Sequence, residues 1–390
     1  MNNNIGTDIA VMGNNKPDTP DTARNGLRSQ ALDLLRFPLA VVVITVHVME
    51  RNFLQGIEDT PWLDSIVCLL GGMFVDQSVP VYFFISGFVF FLNITLTKAT
   101  YLRKMRNRVK SLLIPYIIWN AAVLLKILMF TLPCLAFLFA KEHTSNFDMS
   151  FTSVLMSFWD DSKDITPYIN TGETFPVNVP LWFVRDLIII TIFTPVIYKV
   201  LSGGGKKNYL LLTAVGVIWF VSAICQTRHT NMLTGILFFS LGAHMSICRK
   251  DMLQVFGRYF KPALLLYITL SLGYAATFTG HPEVANMFKR LNQIAGLVVA
   301  YNVSAWLIRN NKCRVSKFLS SASFFVYAAN WVILMEIRSI TIRLLHPGTC
   351  FGFMTCGILT IAITVSSLLL TFYLLQRHAP GLLKVVAGRK

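Results

Sequence analysis

The chain consists largely of apolar runs of membrane-crossing length joined by short polar connectors. Stretches of about 17–25 apolar residues, enough to cross a hydrocarbon layer as helices, fall near 31–49, 73–93, 109–130, 181–201, 209–226, 231–247, 262–279, 292–308, 319–336 and 351–375. A bilayer offers no water to backbone polar groups, so a run of this length must satisfy its own hydrogen bonds as a helix. The expected fold is therefore all-α, a polytopic membrane protein with about ten transmembrane helices. Residues 1–29 read as a disordered polar tail, 30–376 as the membrane domain and 377–390 as a basic C-terminal tail. The tail lacks the short apolar core and cleavage site of a signal peptide.

Charge sets the expected orientation. Only 14% of the chain is charged, against about 25% in soluble domains, yet the formal net charge is +16. The cations sit between spans rather than on a separable domain, which argues against a nucleic-acid partner and for membrane orientation. Of the 35 Lys and Arg, 24 fall on one set of alternate connectors and tails, 8 on the other and 3 within spans. By the positive-inside rule both termini are expected in the cytoplasm, as in a multi-pass protein of the inner (cytoplasmic) membrane. The longest connector, about 131–180, is then external, acidic and able to cap a mouth.

The first span, LDLLRFPLAVVVITVHVM, carries two ionisable residues, Arg36 and His47. Eleven helical steps return to within about 20° and rise roughly 16 Å, so both lie on one stripe, toward opposite sides of the layer. Ionisable groups inside a span mark function by default, although an arginine can also snorkel to the headgroups. A neutral imidazole can take a proton from a hydroxyl, and a guanidinium can hold an anion.

Four further constellations stand out. In YLRKMRNRVKSLLIPY, Arg103, Arg106 and Lys110 recur at i, i+3 and i+7 and form one basic stripe. It suits a phosphorylated cytoplasmic ligand or anionic lipid heads. In GGMFVDQSVPVYFFISGF, Asp76 should lie on the His47 side, orienting a reacting group or capping a helix. Trp182 fits an aromatic belt, but Arg185 beside it needs a partner or a wet cavity. Tyr327 and Asn330, three apart, can form one polar edge between helices. No P-loop, GxSxG, HExxH or paired-cysteine spacing is present, the seven Cys are scattered, and no metal site or permanently bound cofactor is expected.

In their order along the chain, LDLLRFPLAVVVITVH, VPVYFFISGF, YLRKMRNRVKSLLIPY, PLWFVRDL and SFFVYAANW resemble the integral-membrane acyltransferase family 3. Its members O-acylate, often O-acetylate, cell-envelope carbohydrates. The resemblance implies that His47 is the catalytic histidine. It also implies that Arg36, Arg103 and Arg106 handle an acyl-CoA donor, acetyl-CoA in the first instance. Ser86 and Trp182 match further motif positions, whereas Asn330 stands where many relatives carry a histidine. The implied activity is transfer of an acyl group to a carbohydrate or related hydroxyl acceptor, directly or through an acyl intermediate. A transporter of a small solute or lipid-linked sugar is the alternative that in-span charges and broken helices also suit.

Overall fold

The computed structural model describes residues 20–48, 76–131, 150–161, 174–225, 230–278 and 280–388. Every element among them is helical. In chain order these are α1 (Pro20–Val48), α2 (Asp76–Phe91), α3 (Lys98–Arg108), a π-helical turn (Val109–Leu113), α4 (Ile114–Thr131) and α5 (Phe151–Ser157). A 3-10 turn (Val179–Leu181) leads into α6 (Trp182–Ile192), α7 (Thr194–Ser202), α8 (Lys206–Ile224), α9 (Thr230–Ile247) and α10 (Met252–Arg258). There follow α11 (Phe260–Thr277), α12 (Pro282–Arg309), α13 (Lys317–Leu345), α14 (Cys350–His378) and α15 (Pro380–Val386).

Each of the ten apolar stretches read from the sequence falls on one of these helices, with α6 and α7 sharing one stretch. Among the described residues, six helical segments can cross a membrane by length and composition, and a seventh if the pair from Val179 to Ser202, bent by 59°, is one span. The bend has a local cause. Pro195 sits at the start of α7 and has no N–H to continue the ladder, and the Thr194 hydroxyl donates to the Thr191 carbonyl at 2.7 Å. Two expected boundaries move. Helix α1 begins at Pro20, so residues 20–29 are helical rather than part of the polar tail. In the expected C-terminal tail, α15 buries Leu383 and Val386 in the same cluster as Ile44, Phe325 and Phe372. Residues 1–19, and 132–149 and 162–173 of the expected cap, lie outside the described residues.

Helix α1 packs against α2, α12, α13 and α14. Helix α2 is only 16 residues long and buries apolar side chains around most of its circumference: Phe83, Phe84, Phe88, Phe90 and Phe91 are each at most 1% exposed. A helix apolar all round belongs inside a bundle. Small residues let α9 approach it. A Cβ added at Gly87 would lie 2.0 Å from the Phe239 carbonyl oxygen, and one at Gly242 would lie 2.1 Å from that of Phe84. In lipid, where apolar burial does not drive helices together, such close backbone packing does.

Helix α3 starts with a reciprocal capping box between Thr97 and Thr100. It docks by Lys104, whose ammonium donates to the Phe90 carbonyl and lies 4.9 Å from the centre of the Phe90 ring. Arg103, Arg106 and Lys110 are left on the exposed face.

Candidate active site

The His47 end of α1, the first turn of α2, the turn before α6, the first turns of α9 and one turn each of α12 and α13 converge on a cavity of about 170 Å³. Its wall includes His47, Ser78, Trp182, Asn231, Thr234, Lys289, Arg290, Gln293 and Tyr327. These helix ends are the ones that the alternating charge count assigned to a single side.

His47 is fixed from α13. Its ring meets the Trp331 ring edge-on at 5.0 Å, and its carbonyl accepts from Arg338 Nη1 at 3.2 Å. Trp331 is fixed in turn from α4: Lys126 Nζ donates to the Trp331 carbonyl at 3.2 Å and pairs with Glu336 at 2.9 Å. The imidazole therefore sits in the cavity wall on a support reaching across three helices. An imidazole in that position is within reach of a hydroxyl that enters the cavity.

Tyr327 forms another part of the wall, and its hydroxyl donates to the Pro180 carbonyl. Pro180 lies in the 3-10 turn Val179–Leu181 that leads into α6. The turn is held by Asn178, 0% exposed. Its backbone N–H donates to Asn120 Oδ1 at 3.1 Å, and its amide donates to the Ala328 and Trp119 carbonyls at 3.1 and 3.3 Å. Asn330 is fully buried and donates to the Tyr327 carbonyl at 2.5 Å; it supports Tyr327 but does not line the cavity.

Other expected site residues lie elsewhere. Arg36 is a turn and more below the cavity on α1 and pairs with Asp33 of its own helix at 3.1 Å. Its carbonyl accepts from the Tyr82 hydroxyl at 2.5 Å. The Tyr82, Phe183 and Tyr327 rings pack at 5.7–6.2 Å centre to centre between the two levels. Ser86 is half-buried, two turns beyond the cavity residue Ser78. Arg185 points away from the cavity wall: it donates to Asp186 Oδ1 at 2.9 Å and to the Trp159 carbonyl at 2.7 Å. Its guanidinium also covers the Trp159 ring at 5.1 Å. Asp76 opens α2 at the cavity end; its side chain lies outside the description. Arg103, Arg106 and Lys110 gather on the exposed stripe near the opposite end of α2, where α3 docks. Among the described residues, no group of three or more His, Cys, Asp or Glu is placed to hold a metal.

Lys289, Arg290 and Gln293 also line the cavity, although in the sequence the two cations count only as connector charges. Their spacing was the available signal, since 289 and 290 both fall within one turn of 293 on the same helix.

A family model described as an acyltransferase domain, that of acyltransferase family 3, matches residues 29–375. The chain belongs to this family of membrane acyltransferases. It is 23% identical, over 93% of its length and 92% of the other's, to the succinoglycan biosynthesis protein ExoH of Rhizobium meliloti. No solved structure matches it.

Proposed function

We propose that the protein transfers an acyl group, acetyl from acetyl-CoA in the simplest case, onto a hydroxyl of a cell-envelope polysaccharide or its precursor. The observation that carries this reading is the placement of His47 in the wall of the cavity. Family membership and the relative's part in succinoglycan biosynthesis support the reaction class and the kind of acceptor.

The reaction runs between two ends of one bundle. With ten spans and both termini cytoplasmic, the exposed Arg103–Arg106–Lys110 stripe faces the cytoplasm and takes the phosphates of acyl-CoA. The acyl arm extends past Arg36 toward His47, about 16 Å further along the helix. An acceptor hydroxyl entering the cavity gives its proton to the His47 imidazole. Its oxygen bonds to the thioester carbonyl carbon, the C–S bond breaks, and the CoA thiolate leaves and takes up a proton.

The test is transfer of radiolabelled acetyl from acetyl-CoA to envelope glycan by the purified protein in nanodiscs. Positioning a base typically contributes about 10²–10⁴-fold, so His47→Ala should lose that much turnover at unchanged membrane abundance. Transfer by His47→Ala at the wild-type rate refutes the assignment.

A further inference from the structure

Most polar groups on the cavity wall are already spent within the protein. The Thr234 hydroxyl donates to the Thr230 carbonyl and accepts from Trp219 Nε1, each at 2.8 Å, and the Tyr327 hydroxyl donates to the Pro180 carbonyl. Ser78, Asn231, Lys289 and Arg290 have interactions of their own. Gln293 differs. Its side chain lines the cavity, the residue is only 3% exposed, and its Oε1 has no hydrogen-bond partner among the described residues. A buried amide oxygen is costly to leave unanswered. It accepts and does not donate, so the ligand that answers it brings a donor, and a carbohydrate brings hydroxyls.

The turn that carries this oxygen is held from two neighbouring helices. Gln77 Nε2 of α2 donates to the Asn292 carbonyl at 3.0 Å, and the Asn292 amide donates to Ser271 Oγ of α11 at 3.0 Å. A Cβ added at Gly296 would lie 2.2 Å from the Gln77 side chain, so the glycine leaves α2 room to reach α12 here. Gln293 thus faces the cavity from a fixed stretch of backbone, as His47 does from α1. At about 170 Å³ the cavity has room for a single six-membered ring, given that about 150 Å³ holds a benzene.

We infer that Gln293 selects which acceptor hydroxyl is acylated: its Oε1 accepts a hydrogen bond from one hydroxyl of a sugar ring while a neighbouring hydroxyl of the same ring gives its proton to His47. The inference rests on the acyl-transfer reading of this cavity and adds to it the contact that orients the sugar. A base alone takes a proton from whichever hydroxyl reaches it. Two accepting groups at fixed places on one wall hold the ring in one orientation, and a single hydroxyl then meets the thioester.

Full-length protein in nanodiscs is given acetyl-CoA and the repeat-unit oligosaccharide released from the envelope glycan, and the acetylated position is read by NMR. Gln293→Met removes the amide oxygen at similar volume, and Gln293→Glu keeps an accepting oxygen at the same reach. In Gln293→Met, kcat/KM for the oligosaccharide should fall about tenfold, the worth of one hydrogen bond, with the KM for acetyl-CoA unchanged. Acetyl should then appear at more than one position, whereas wild type and Gln293→Glu acetylate one. A merely structural role lowers the yield without moving the acetyl group. Acetylation by Gln293→Met at the single wild-type position, at whatever rate, therefore overturns the inference and leaves the transfer reading standing. So does a wild type that acetylates several positions alike.

Thermal stabilisation by the oligosaccharide without acetyl-CoA separates this inference from the transfer reading. It should appear in wild type and in His47→Ala and shrink in Gln293→Met. The O-methylated oligosaccharide, which has no O–H to give, should not stabilise any of them. This pattern without transfer supports the hydroxyl site and overturns the transfer reading. Absent stabilisation, or equal stabilisation of wild type and Gln293→Met, overturns the inference.

Discussion

The Arg185–Asp186 pair separates a structural cation from a catalytic one. Its side chains are 8% and 1% exposed, and Asp186 Oδ2 has no hydrogen-bond partner among the described residues, so the guanidinium is the contact that answers this carboxylate. Arg185→Ala leaves a buried charge without compensation, which costs about 3–5 kcal/mol. At about 1.4 kcal/mol per tenfold, that lowers the folded-to-unfolded ratio by about two to three and a half decades. It also releases the Trp159 carbonyl, the anchor of the segment after α5. Adding Asp186→Asn removes the charge and keeps the shape. The double variant should then retain a deficit of only about 1–3 kcal/mol, the cost of an unanswered buried carbonyl. The assay is the temperature at which half of the detergent-purified protein stays monodisperse in size-exclusion chromatography. Transfer activity is measured in parallel well below that temperature. If Arg185→Ala is as stable as wild type, or the double variant is no more stable than the single, the pair is not what holds this segment. A single variant that is stable but inactive would place Arg185 on the substrate instead.

Gly87→Ala forces a Cβ to within 2.0 Å of the Phe239 carbonyl oxygen, a backbone atom with no rotamer to yield. The upper end of the overpacking range, about 3 kcal/mol, is expected and should appear as a lowered thermal midpoint. Trp331→Leu removes the ring edge that steadies His47. An aromatic pair is worth about 0.5–1.5 kcal/mol, so kcat should fall about two- to tenfold with little change in KM for either substrate. Arg103→Gln and Arg106→Gln should each raise the KM for acetyl-CoA about tenfold at nearly constant kcat, the value of one charge-assisted contact to phosphate. Because the stripe is exposed, the wild-type KM for acetyl-CoA should also rise with ionic strength.

The helices were legible because a bilayer imposes a length and a composition on every crossing, and both can be counted along a chain. The same arithmetic placed Arg36 and His47 on one helix, now continuous from Pro20 to Val48. Motif resemblance singled out Trp182 and the spacing to Asn330 singled out Tyr327, but neither signal showed that both gather at the His47 cavity. The roles of neighbouring residues depend on rotations about helix axes that no local pattern encodes. Arg185 lies three residues from Trp182, yet Trp182 faces the cavity while Arg185 turns to Asp186 and Trp159. Lys289 and Arg290 passed as topology charges because their neighbours in space, His47 and Tyr327, are remote in sequence. The start of α1 was misplaced for a different reason: residues 20–29 are polar, and a hydropathy count sees the membrane boundary rather than the end of the helix.

The aromatic layer between Arg36 and His47 decides what kind of route the proposed reaction can use. Tyr82 holds the Arg36 carbonyl, Tyr327 holds the Pro180 carbonyl, and Phe183 packs against both rings. On the proposed route, an acyl arm coming from the Arg36 level would part these rings. The contacts at stake are one or two neutral hydrogen bonds, about 0.5–1.5 kcal/mol each, and two or three ring pairs of similar worth. Parting them costs a few kcal/mol. Turnover at about ten per second corresponds to a barrier of about 16 kcal/mol, so this opening fits well within a catalytic cycle and need not limit it. On the proposed route the layer would keep water from a thioester below it, and binding energy from the donor would drive the rings apart.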